Sequence, residues 1–496
     1  MKARLWLKSA ALLSIAIGTG LVQTGRAAET ETVPVAGQPL AANVTRLVEA
    51  LEFLGASLPG GVKKSLSEAA QKLDGDRLQQ LLDEHALFIV ELNPESRVKV
   101  RRGPAMAVLQ QGGYTPVIVK VVNLSTVTKE LRITSAQAGQ VYAGTSPLSA
   151  KRMQRESLRE AEVKTANTNQ FLDVEMFARP PMTANLSGLE AEYALALIHS
   201  RDAGKREATI AFDVGGTTQD LGFRAELPVL FDIRPAVRVK LRVRDTDGSP
   251  ATASFIFRDA AGHVHPPQAK RLAPDFYFQP QIYRGDGDVA VLPPGKLTVE
   301  FTRGPEYRRL RREVTIPRAA KAELSFQLER WIEPARYGFY SGDHHIHGAG
   351  CAHYTSPTEG VTPEDMFKQV EGEGLNVGCV LTWGPCFTFQ RRFFAPGMNQ
   401  LSKPLTVMKY DLEISGFGSE SLGHVCLLNL KDQTYPGSEG TKTNGWPSWT
   451  LPVMKWTKAQ GGFAGYAHSA SGLEINTPSD VKRLFQKYDA DHDARL

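Results

Sequence analysis

Apolar residues near the start of the chain recur at helical intervals. Leu47, Leu51 and Leu54, followed by Leu73, Leu78, Leu81 and Leu82, predict a helical lead-in over 29–85. From about residue 87 the period shortens to two. Ala86-Leu87-Phe88-Ile89-Val90, Pro116-Val117-Ile118-Val119-Lys120-Val121-Val122 and Ala208-Thr209-Ile210-Ala211-Phe212-Asp213-Val214 read as strands. Pro, Gly and Asn punctuate them, as in an all-β sandwich, here assigned to 86–235. Residues 150–190 read as an irregular or partly helical insertion.

A second β unit occupies 236–330, with strands predicted at 237–243, 253–257, 289–292, 297–301 and 322–328. Asp245-Thr246-Asp247-Gly248, Ala261-Gly262 and Pro293-Pro294-Gly295 supply the turns between them. This order is similar to the small carboxypeptidase-regulatory or transthyretin-like sandwich. His263 and His265 have the spacing of a metal pair, but no third histidine or carboxylate stands out beside them, and an exposed loop is expected. From residue 337 short apolar runs alternate with helical stretches: a helix at 363–373 before a strand at 375–381, and a helix at 451–460 before a strand at 463–467. That pattern predicts β/α units forming a parallel sheet or barrel. The fold class is therefore multidomain α+β, β-sandwich modules first and an α/β unit last.

Composition narrows the setting. At 496 residues the chain exceeds one ordinary domain, and 42% hydrophobic with 22% charged residues is a globular composition. A formal charge of +5 is too small for this length to suggest nucleic acid. Arg238, Lys240, Arg242 and Arg244 alternate with Val237, Val239, Leu241 and Val243, so this basic run predicts one wet strand face. Lys2, Arg4 and Lys8 precede an apolar stretch over 10–22, with Gly25 and Ala27 after it. The pattern predicts a signal peptide over 1–28, an exported protein, and no stable membrane span after cleavage. The four cysteines, Cys351, Cys379, Cys386 and Cys426, are too few for a disulfide scaffold. Cys379 and Cys426 sit in apolar runs that suit buried free thiols.

Of eleven histidines, four lie close together: His344, His345, His347 and His353. Residues two apart on a strand share a face, so His345 and His347 can grip one ion, with Asp343 on the same side to bind it or to orient a ligand. Gly348 and Gly350 would permit close approach of backbone and substrate. Asp343-His344-His345-Ile346-His347 resembles the opening motif of the PHP superfamily of metal-dependent hydrolases. Tyr340-Ser341-Gly342 before it and Gly461-Gly462-Phe463-Ala464-Gly465-Tyr466-Ala467-His468 downstream are similar to its carbaryl-hydrolase (CehA/McbA) branch, over 337–496.

That resemblance implies a distorted α/β barrel with Glu413 as bridging carboxylate, and His353, His424 and His468 as further ligands beside His345 and His347. It implies Asp343 and Glu413 as catalytic carboxylates, and one or two ions of Zn²⁺, Mn²⁺ or Fe²⁺. In two places the chain departs from the pattern. Leu381-Thr382-Trp383-Gly384-Pro385 stands where many members carry Thr-Asp-His, leaving Trp383 and Phe387 as either pocket lining or core. No late Asp-x-His pair follows His468, so the barrel is expected to be incomplete, its reading frame running on. The last residues, 489–496, resemble half an EF-hand loop, with Asp489, Asp491 and Asp493 as weak Ca²⁺ ligands.

The chemistry expected is metal-assisted hydrolysis of a small-molecule ester, amide, carbamate or phosphoester. The alternative is an exported, non-catalytic protein whose β modules bind carbohydrate or protein beside a degenerate barrel.

Overall fold

The computed structural model describes residues 32–139, 169–215, 224–271, 275–348, 361–383, 387–414 and 424–467. It is a multidomain, β-rich α+β chain in which helices are few. Among the described residues no helix is long and apolar enough to cross a membrane.

Three helices come first: α1 (Gly37–Phe53), α2 (Gly60–Gln71) and α3 (Gly75–Asp83). Leu40, Val44, Leu47 and Leu51 fall on one face of α1 and are buried. Asp74 caps α3, accepting the Arg77 amide at 2.9 Å. Nine strands follow: β1 (Ala86–Leu92), β2 (Val98–Arg102), β3 (Val108–Gln110), β4 (Tyr114–Asn123), β5 (Arg132–Ser135), β6 (Leu172–Met176), β7 (Ala191–Ser200), β8 (Gly204–Asp213) and β9 (Arg224–Arg234). They make two sheets, in the orders β2-β1-β4-β7-β6 and β3-β9-β8-β5.

One face of the first sheet packs on the second sheet, through residues such as Phe88, Val119 and Ile198 against Ile210, Phe212 and Phe231. The other face receives the helices, with Tyr114, Ile118, Tyr193 and Leu195 against Leu40, Leu47 and Leu82. This explains a departure from the expected period of two: β1 and β7 are buried almost throughout, because helices cover the face that would otherwise be wet. β6 lies inside the stretch that the pattern read as an insertion. Beneath the helices Lys120 of β4 is fully buried, its Nζ 2.7 Å from Asp83 Oδ2, while the Tyr193 hydroxyl donates to Asp83 Oδ1 at 2.7 Å.

The second module comprises β10 (Val237–Arg244), β11 (Thr252–Arg258), β12 (Val264–His265), β13 (Ile282–Gly285), β14 (Val289–Leu292), β15 (Gly295–Thr302), β16 (Leu310–Ile316) and β17 (Lys321–Gln327). Its two sheets enclose one core built around Phe255, Phe257, Phe301 and Phe326. The basic run of β10 alternates as the pattern predicts. Val237, Val239, Leu241 and Val243 are buried, while Arg242 pairs with Glu323 at 3.3 Å and Arg244 with Asp286 at 3.4 Å. β16 is missing from the sequence-based reading because only Val314 and Ile316 of its seven residues are buried.

The third unit is one sheet in the order β18 (Gly342–His347), β19 (Val377–Thr382), β20 (Val407–Ile414), β21 (Val425–Leu428) and β22 (Phe463–Tyr466). β18, β19 and β20 run parallel; β21 and β22 are added antiparallel. Its edges, β18 and β22, do not pair with each other among the described residues.

The helix Pro363–Gly372 starts with Thr362 accepting the Asp365 amide at 3.3 Å, and it packs Met366, Phe367 and Val370 under Val380, Met408 and Tyr410. This helix also joins the sheet to the second module. Lys368 meets Asp288 at 2.7 Å, and Arg303 Nε donates to the Glu371 carbonyl at 3.1 Å. Gly304, at φ +75°, lies so near Glu373 that a Cβ would sit 1.9 Å from its carbonyl oxygen, leaving no room for any other residue.

Candidate metal centre

The centre is built on one face of the third sheet. Along β20, Met408, Tyr410, Leu412 and Ile414 alternate with Lys409, Asp411 and Glu413. The apolar set enters the two hydrophobic cores, so the charged set must occupy the opposite face. Cys426 of β21 stands opposite Glu413, and Cys379 of β19 opposite Lys409.

A bulge shapes the neighbouring edge. Asp343 of β18 pairs with Gly378 and Ile346 with Val380, so three residues on one strand span two on the other. The extra residue shifts the alternation between Asp343 and Ile346. Ile346 then packs into the core, and the rings of His345 and His347 come together with centroids 4.8 Å apart. Asp343 does not bond an imidazole; its Oδ1 accepts the His345 backbone amide at 2.9 Å and holds the bulge.

His345 Nε2 lies 2.8 Å and His347 Nε2 2.9 Å from Glu413 Oε2, and the two nitrogens are 2.9 Å from each other. The second carboxylate oxygen, Oε1, meets His424 Nδ1 at 2.7 Å. Three of the predicted histidines thereby meet on the carboxylate of a fourth predicted residue, Glu413. The Glu413 side chain is 4% exposed and that of His347 45%, which makes a buried anionic floor with an accessible rim. Burial raises the Glu413 pKa, but the hydrogen bonds from His347 and His345 outweigh it and bring the carboxyl down to about 2. Reciprocally, the bond to Glu413 lifts the His347 imidazole above its ordinary value, against the effect of burial.

His345, His347 and Glu413 together offer donor atoms suited to a cation. Their chemistry fits: two imidazole nitrogens and one ionised carboxylate are the donors of transition-metal sites. Hydrogen bonding alone serves the triangle poorly, because both nitrogens address the same oxygen while facing each other. A tetrahedral ion with bonds of about 2.1 Å would hold such donors about 3.4 Å apart, so a small opening of the triangle accommodates it.

Other predicted residues fall elsewhere. His353, His468, Asp489, Asp491 and Asp493 lie outside the described residues, as do Cys351, Cys386 and Gly350. Ala467, next to His468, donates its amide to the His424 carbonyl at 3.0 Å. At Gly348 the neighbours are side chains, Val380 and Gln390, each 2.7 Å from where a Cβ would stand. Phe387 is buried core, and the partly buried Trp383 packs on it edge to face at 5.7 Å; both join the cluster of Leu412 and Ile414, which face away from Glu413. Cys379 and Cys426 are free thiols, pushed up to about 11 and about 12, mainly by burial.

His263 does lie in the turn before β12, its side chain 44% exposed, but His265 is buried on β12, and a carboxylate accompanies both: they meet Asp259 Oδ2 at 3.4 and 3.1 Å.

Asp411 lies on the same face of β20 as Glu413 and was not singled out by motif reading. It is fully buried and its pKa is raised to about 6 by that burial, although Lys409, Gln433 and the amides of Asn429 and Leu430 oppose the shift. Its signal was present in the sequence as the polar half of an otherwise apolar alternation in β20.

No protein-family model and no curated protein matches the chain. Among solved structures, it is similar to the Bacillus anthracis TIE protein over 62% of this chain and 57% of that one, at 12% identity and a TM-score of 0.16. The chain thus spans little more than half of that protein's length, and a likeness so remote carries no argument about fold or function.

Proposed function

We propose that the chain is an exported metal-dependent hydrolase of the PHP type, related to the carbaryl-hydrolase branch, whose sheet is part of a distorted α/β barrel. The observation that carries this reading is the convergence of His345 Nε2, His347 Nε2 and Glu413 Oε2 within 2.9 Å of one another. His345, His347 and Glu413 would hold a Zn²⁺, Mn²⁺ or Fe²⁺ ion, which would supply the Lewis acidity for activating water near neutral pH and for stabilising negative charge on the substrate.

The chain's own residues do the rest. Glu413 supplies a buried charge, and His424 holds the orientation of its carboxylate through Oε1 at 2.7 Å. Asp343 holds the bulge that aims His345. His347, on the accessible rim, borders the side from which a substrate arrives. An ester, amide or carbamate is the preferred substrate class, with a phosphoester next.

Metal analysis of the purified chain tests the proposal, together with hydrolysis of 1-naphthyl acetate and 1-naphthyl N-methylcarbamate with and without chelator. Stoichiometric transition metal and chelator-sensitive turnover are expected. A His345→Ala, His347→Ala variant that kept full metal content would sink the reading and favour an exported binding protein instead.

A further inference from the structure

A second site lies away from the histidine–glutamate group, where α1, the first sandwich and the second module meet. A cavity of about 420 Å³ there is walled by Leu51 of α1 and Leu54 just after it, and by Leu87, Leu109 and Ile118 of the sandwich. Beside it lies a second cavity of about 950 Å³, and Gln110, Arg234, Asp259 and His265 line both. Sites for small molecules have this character: concave, mostly apolar, at a junction between domains, with a few convergent polar groups.

The shared wall is built rather than incidental. His265 is only 7% exposed, and its Nε2 meets Asp259 Oδ2 at 3.1 Å. The other oxygen, Oδ1, accepts the amides of Ala261 and His263 at 2.9 and 3.0 Å. Burial raises the Asp259 pKa, but its bonds to His263 and His265 prevail and keep the carboxyl below its usual range. An ionised carboxylate only accepts, so the proton on that line belongs to His265 Nε2. The remaining ring nitrogen, Nδ1, is buried with no hydrogen-bond partner among the described residues.

The loop carrying this pair is anchored to the end of α1. Val264 donates its amide to the Gly55 carbonyl at 2.8 Å, and Gln268 Nε2 donates to the Phe53 carbonyl at 2.8 Å.

Charge indicates what fits. Arg234, Lys296 and Arg318 line the larger cavity, and none has a carboxylate partner among the described residues. The opposing acids are Asp232 and Asp259, the latter already engaged by histidine.

We infer that this junction binds an amphipathic carboxylate, with its apolar tail among the leucines and its anionic head at Arg234 and His265.

Calorimetric titration of the full chain with octanoate, and separately with 1-octanol, tests the inference. Octanoate is expected to bind and 1-octanol to bind far more weakly. Arg234→Gln, on an exposed residue, is expected to weaken octanoate about tenfold or more through loss of a charge-assisted contact. Lys296→Gln, at the exposed start of β15, gives a second reading through a smaller loss of affinity. Absence of octanoate binding at millimolar concentration, equal binding of 1-octanol, or binding that both variants leave unchanged would each overturn it.

Discussion

His345 Nε2 and His347 Nε2 lie 2.9 Å apart, and both reach the same oxygen of Glu413. Two imidazoles so placed cannot both turn a proton towards the other, and with Glu413 they form a set of donor atoms that could hold a metal ion.

Proton competition gives the first prediction. A ligand histidine must be neutral, and Glu413 raises the pKa of His347 above its ordinary 6.5. Metal affinity should therefore climb with pH through the neutral range. Zn²⁺ or Mn²⁺ titrations at about pH 5.5 and about pH 8, on either side of the histidine range, should show much tighter binding at the higher pH. Affinity that did not change between them would count against histidine ligation.

His424 holds the far oxygen of Glu413 at 2.7 Å. His424→Ala should weaken metal binding by about 10–100-fold, the range for removing a group that orients a ligand. His345→Ala should weaken it more. Competition with a chromophoric chelator measures both, and an unchanged affinity in His424→Ala would remove that residue from the site.

Glu413 also links the site to stability. Its folded pKa is about 2 against an ordinary 4.5, a depressed value. The contribution of its ionised form is therefore complete above pH 4.5 and fades as pH falls towards 2. In the presence of chelator, the urea midpoint of Glu413→Gln should lie below that of the natural chain at neutral pH, and the two should converge in acid. Trp383, Trp446, Trp449 and Trp456, four of the six tryptophans, make fluorescence a local reporter of this unit. A constant gap across the range would contradict the assignment.

Far from the metal centre, Lys120 and Asp83 form a buried pair 2.7 Å apart under α3. Lys120→Ala leaves the buried Asp83 with the Tyr193 hydroxyl but without its cation, and should destabilise the first unit by about 3–5 kcal/mol. Lys120→Ala with Asp83→Ala should recover part of that loss. Hydrogen exchange of the β4 amides would register the change, and a loss below about 1 kcal/mol would mean that water reaches the pair.

Much was readable from local pattern. Helices fall where leucines recur at helical spacing, and β10 alternates wet and dry because its own side chains alternate. The association of His345 with His347 was readable because two residues on one strand need only a period of two. Glu413 and His424 could be named only through resemblance to a family, since nothing local ties a glutamate at 413 to a histidine at 345.

Tertiary structure decided the rest. It brought Glu413 onto the histidines by placing β18 two strands from β20, and it broke the expected alignment of Asp343 through a bulge, a matter of pairing between strands. It buried both faces of β1 because helices from elsewhere in the chain cover one of them. The pairing of His265 with Asp259 beside a cavity likewise depends on α1, the first sandwich and the second module meeting at one point. Periodicity reports which side of an element is apolar; what that side meets is settled by contacts between residues far apart in the chain.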